Sequence, residues 1–136
     1  MNYLDYAATT PVNAEVLEVI TKEMASFGNP SSVYRIGREQ KQKIERVKKA
    51  ILSELQASPH DAIIFTSSGS EGNNLVFESI REHFAKEKGH IIVSAVEHPS
   101  VRKPAEFLEQ EGFDVTYLAP DKDGIVTVSE IEQALR

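Results

Sequence analysis

Apolar and polar positions along the chain follow two rhythms. Between Arg38 and Leu55 the residues Ile44, Val47, Ile51 and Leu55 recur at steps of three and four, which predicts one stripe of an amphipathic helix packed on a sheet. Pro59 and His60-Asp61 interrupt this pattern, and Ala62-Ile-Ile-Phe-Thr66 then predicts a short buried strand rich in β-branched residues. After a run of small polar residues, Leu75, Val76, Ile80 and Phe84 restore helical spacing up to the basic Lys86 and Lys88 and the stop at Gly89. The alternation then repeats. His90–Ser94 predicts a second strand, Val101, Ala105 and Leu108 mark a helix ending at Gly112, and Phe113–Leu118 predicts a third strand.

Strands alternating with helices at this spacing indicate βαβ units, so the expected class is α/β with a parallel sheet. Pro120-Asp-Lys-Asp-Gly124 predicts a turn, and Ser129-x-x-Glu132 has the form of a capping box opening a last helix. The pattern stops at Arg136, about two turns into that helix. A sheet of three short strands would leave an outer strand unpaired, so the expectation is part of a larger, truncated domain.

Composition narrows the function classes. At 136 residues, 40% hydrophobic and 26% charged, the chain has the profile of one globular domain. It has no apolar run near the length of a membrane span, and its N-terminus, MNYLDYAATTP, lacks the basic and apolar halves of a secretory leader. No membrane partner and a cytoplasmic location are expected. The net charge of −6 argues against nucleic acid, although seven of the fifteen Lys and Arg residues fall between Arg35 and Lys49. Glu39 and Glu45 interrupt that cluster, as on a solvated helix face. With no cysteine there is no disulfide, no thiolate metal ligand and no thiol nucleophile. His60, His83, His90 and His98 form no i, i+4 pair, so no metal site is expected.

Two segments carry candidate chemistry. In Phe65-Thr-Ser-Ser-Gly-Ser-Glu-Gly-Asn-Asn74, the box Ser68-x-x-Glu71 predicts a helix starting inside the loop, with its free amides facing outward. Gly69 and Gly72 permit close backbone approach, and Ser67, Ser68 and Ser70 add hydroxyl donors, a set suited to a phosphate or other anion. A capped helix holding only water is the plainer alternative. The loop has neither the Gly-Lys-Ser/Thr ending of a nucleotide P-loop, nor a spaced G-x-G-x-x-G, nor the G-x-S-x-G of a nucleophile elbow. The second segment, Val96-Glu-His-Pro-Ser100, lies just past the His90–Ser94 strand, so both loops fall at the C-terminal edge of the sheet, where open α/β folds bind ligands. His98 there could stack on a flat ring or move protons near neutral pH, or be a solvated histidine.

Five segments in order, Tyr3-Leu-Asp-Tyr-Ala-Ala-Thr-Thr-Pro11, Phe27-Gly-Asn-Pro-Ser-Ser32, Ile64–Glu71 with Asn74, Glu97-His98, and Gly112–Leu118, resemble the N-terminal part of NifS/IscS-like cysteine desulfurases. The resemblance runs along essentially the whole chain. It implies a class V aminotransferase with the fold-type I large domain, dependent on pyridoxal 5'-phosphate, that converts L-cysteine to L-alanine and leaves an enzyme-bound persulfide for iron–sulfur cluster or thiolation pathways. Residues 1–15 would form an N-terminal arm and residues 16–136 the first part of the cofactor-binding domain. Gly69 and Ser70 would hold the cofactor phosphate, with Ser70 where the family usually has threonine. His98 would stack on the pyridine ring and assist proton transfer. Ala7, Ala8 and Thr9 would lie near the substrate, and Asn74 would be structural. Tyr34 stands where relatives commonly have histidine, and Asn73 replaces a usual aspartate.

The resemblance also implies a homodimer and sulfur-acceptor proteins. It places the Schiff-base lysine, the acidic partner of the ring nitrogen, the sulfur-accepting cysteine and the small C-terminal domain beyond Arg136. None of the present lysines, such as Lys86 or Lys103, has the family's Ser-x-His-Lys context. Three readings follow: an N-terminal desulfurase segment inactive by itself; a binding or assembly module that pairs with a desulfurase subunit or a complementary fragment; and an unrelated phosphate-binding α/β module. Selenocysteine lyase and other class V activities share these motifs.

Overall fold

The computed structural model describes residues 2–58 and 60–136. The break expected at Pro59 lies outside the described residues. Contacts divide the chain into two compact units, Met1–Ile63 and Ile64–Arg136.

The first unit carries two helices. Helix α1, Ala14–Met24, is absent from the expectations above; it opens on Asn13, whose side chain accepts from the Glu15 amide at 2.8 Å. Helix α2, Arg35–Glu54, contains the expected apolar stripe but begins three residues before Arg38. Its start is set by packing rather than by a cap. Tyr34 at the N-cap makes no side-chain cap bond, whereas Gly37 is buried against the Asn29–Ser32 loop. A Cβ on Gly37 would lie 2.5 Å from the Asn29 carbonyl oxygen and 2.7 Å from Ser32 Cβ, so only glycine fits that approach. Lys43 joins the helices, its ammonium reaching Glu23 at 2.7 Å and Ser26 Oγ at 3.1 Å. On the basic cluster, Arg35 pairs with Glu39 at 3.4 Å and Lys48 with Glu45 at 3.8 Å.

The second unit is a βαβ arrangement with flanking helices. Strands β1, His90–Ser94, and β2, Asp114–Leu118, pair in parallel from His90 opposite Asp114 to Ser94 opposite Leu118. A cross-strand contact of 2.8 Å joins His90 Nε2 to Thr116 Oγ1. Helix α4, Pro99–Gln110, makes the crossover, and Ala105 and Leu108 on its inner face are buried together with Val93 and Phe113. The helix stops as expected at Gly112, at φ +94°. There the Phe113 amide bonds the Leu108 carbonyl and the Gly112 amide the Glu109 carbonyl, both at 3.0 Å, a Schellman closure that brings Phe113 onto Leu108.

Three expectations are corrected. The strand expected over Ala62–Thr66 is not paired: the described residues form a two-stranded sheet of β1 and β2, and Ile64 and Phe65 are exposed. An apolar run becomes a strand only where a neighbour takes its backbone hydrogen bonds. Helix α3, Gly69–His83, ends before Lys86–Gly89; its basic last turn is Arg81 and His83. The final helix α5, Val128–Ala134, opens two residues before the box assigned to Ser129 and Glu132. Thr127-x-x-Glu130 fits the same pattern, and both halves of that box form: Glu130 N donates to Thr127 Oγ1 at 3.3 Å and Thr127 N to Glu130 Oε2 at 2.8 Å. Asp121 closes the expected turn by accepting from the amides of Asp123 and Ile125. No helix among the described residues is long and apolar enough to cross a membrane.

Candidate functional site

Helices α3 and α4 pack on one another, and each begins with a side-chain cap. At α3, Ser68 Oγ accepts from the Glu71 amide at 3.2 Å. The Glu71 carboxylate reaches back past the expected partner to Ser67, accepting from its amide and its hydroxyl, each at 2.6 Å. The Ser67 hydroxyl, followed by its amide, holds the Glu71 carboxyl below the ordinary carboxylate value.

With Glu71 occupied in this way, the amides of Gly69 and Ser70 stand at the first two positions of the helix, where no helical carbonyl can take them. A Cβ built on Gly69 meets nothing within 4 Å, so the approach to these amides is open. Asn74 ties the turn down, its Nδ2 donating to the Ser70 carbonyl at 2.7 Å. Free amides, a hydroxyl and open space form a donor set that fits a phosphate.

At α4, His98 is itself the N-cap and Pro99 occupies the first turn. The Ser100 amide donates to His98 Nδ1 at 3.1 Å, and the Ser100 hydroxyl lies 2.8 Å from the same nitrogen. Asn73, on α3, donates from Nδ2 to Ser100 Oγ at 2.9 Å across the pair of helices. Both Asn73 and Ser100 are half-buried, whereas His98 is exposed.

An open groove of about 590 Å³ lies between these helices, and Ser70, Asn74, His98, Ser100 and Lys103 line it. The structure thus brings Ser70 and His98, separated by 28 positions, to one groove, with Gly69 beside Ser70 at the helix start. Ala7, Ala8 and Thr9 belong to the first unit, where the Ala8 amide closes a turn on the Asp5 carbonyl at 3.1 Å. Ser100 was not among the expected site residues, and Asn73 was noted only as a departure; their contact spans 27 positions and has no local signature. No group of three or more His, Asp or Glu side chains among the described residues is placed to hold a metal ion.

Residues 2–136 match the model of the aminotransferase class-V family, and the chain belongs to that family. Its relatives are cysteine desulfurases. It is 43% identical over 135 residues to the cysteine desulfurase IscS of Dictyoglomus turgidum, covering 98% of this chain and 34% of that protein. It is 38% identical over 136 residues to the mitochondrial cysteine desulfurase of Eremothecium gossypii, covering 98% of this chain and 28% of that protein. A solved structure described as SspA in complex with cysteine superposes with a TM-score of 0.91 at 39% identity, over all of this chain and 39% of the other. The α/β class is therefore that of this solved structure, and the chain spans about a third of the length of the curated relatives it matches.

Proposed function

We propose that this chain forms the first part of the cofactor-binding domain, residues 16–136, of a pyridoxal-phosphate-dependent cysteine desulfurase, preceded by an arm over residues 1–15. The observation that carries this reading is the groove shared by Ser70 at the start of α3 and His98 at the start of α4. Gly69 N, Ser70 N and Ser70 Oγ would hold the cofactor phosphate, and His98 would lie against the ring and assist proton transfer. Pyridoxal phosphate supplies an electron sink for bond cleavage at the amino acid it carries. Ala7 to Thr9 would border the L-cysteine substrate. The 136 residues contain no cysteine to accept sulfur, so turnover by this chain alone is not expected. Dimer partners and sulfur acceptors belong to the same proposal.

Pyridoxal phosphate and pyridoxal, which lacks the phosphate, separate the phosphate grip from ring contacts. Removing a hydrogen bond to a charged group costs about 1.5–3 kcal/mol, or roughly tenfold to a hundredfold in affinity. Ser70→Ala should weaken pyridoxal phosphate binding, followed by calorimetry, by about tenfold or more and leave pyridoxal binding unchanged. Equal weakening of both compounds, or of neither, would remove Ser70 from the phosphate site.

A further inference from the structure

We propose that Asn73 and Ser100 are positioning residues that hold His98 as the tautomer with its hydrogen on Nε2. The inference deepens the role given to His98 above and rests on that reading for its functional meaning. A serine hydroxyl has one hydrogen and two lone pairs, and a neutral imidazole has one donor and one acceptor nitrogen. Asn73 Nδ2 donates to Ser100 Oγ, which occupies a lone pair and leaves the hydroxyl hydrogen to point elsewhere. The Ser100 amide donates to His98 Nδ1, so Nδ1 presents its lone pair. The hydroxyl, 2.8 Å from the same Nδ1, therefore directs its hydrogen there. Nδ1 becomes an acceptor from two donors of one residue, and the ring hydrogen stays on Nε2.

The chain of bonds reaches from α3 to α4, so the side chain that sets the imidazole is carried by the same helix that carries Ser70. The amide at position 73 is decisive for direction. An aspartate there would accept from the Ser100 hydroxyl and turn its hydrogen away from the imidazole.

The test is direct detection of the His98 ring nitrogens by long-range proton–nitrogen NMR of the full chain labelled with ¹⁵N-histidine, assigned by the signal lost in His98→Gln. The expected wild-type result is a protonated Nε2 and an unprotonated Nδ1 displaced upfield by hydrogen bonding. Asn73→Asp, which is nearly isosteric, should move Nδ1 downfield toward a less bonded nitrogen; Ser100→Ala should do the same, and Ser100→Thr should keep the wild-type resonance. A wild-type Nδ1–H tautomer, or an unmoved Nδ1 resonance in Asn73→Asp and Ser100→Ala, would overturn the proposal. Should Ser100→Ala lose the fold, Asn73→Asp decides. These signals need no cofactor, so equal weakening of pyridoxal phosphate and pyridoxal by Ser70→Ala would sink the phosphate reading and leave this one standing.

Discussion

Glu71 shows how a single carboxylate can organise a candidate anion site without competing for it. Both of its recorded donors come from Ser67, which turns the negative charge back toward the residue before the cap. Because these bonds depress its pKa below the ordinary 4.5, the stability they contribute is complete above that value and is lost as pH falls through the depressed one. Ser67→Ala removes the leading cause and should raise the Glu71 pKa toward 4.5, so that protection of the residue-67 amide, which the carboxylate holds, fades at a higher pH. Titration of the Glu71 carboxyl by NMR checks both the shift and its sign. The cap residue Ser68 could be read from the Ser-x-x-Glu spacing, because capping is local. The slip of the carboxylate to Ser67 and the Asn73–Ser100 bond could not, since one is a choice between adjacent amides and the other joins separate helices.

Among the elements, those with local start and stop signals are the ones the spacing of residues predicts. Helix α4 has Pro99 at its start and Gly112 past its end, and β1 and β2 are short apolar runs on either side of it. Ala62–Thr66 has the same composition as a strand, but pairing is non-local and the run finds no neighbour among the described residues. Helix α1 lies outside the elements predicted above, although Asn13 and the steps of three and four from Leu17 to Ile20 and Met24 carried its signals; in the structure these apolar residues are exposed. The start of α2 depends on Gly37 against the Asn29–Ser32 loop. Gly37→Ala would force that backbone apart, and overpacking of this kind costs about 1–3 kcal/mol. Amide exchange in residues 29–40 should accelerate accordingly, with β1 and β2 unaffected.

On the scale of the whole molecule, the second unit hangs on a small core of Val93, Ala105, Leu108 and Phe113. Leu108→Ala would cost about 2–5 kcal/mol, a large part of the stability of an ordinary domain. Thermal unfolding monitored in Ile64–Arg136 should fall sharply or lose its cooperativity; an unchanged transition would mean that other contacts carry the unit. The same core anchors only the later part of α4. Pro104 lies inside that helix and has no amide hydrogen, so the Ser100 carbonyl lacks the bond that residue 104 would otherwise donate. The turn bearing His98 and Ser100 is therefore tied to the rest of α4 by one bond fewer, while Ala105 and Leu108 stay seated on the sheet. On the proposed reading, a ligand in the groove would meet an imidazole mounted on a turn that keeps its internal bonds but is held to the rest of α4 by one bond fewer.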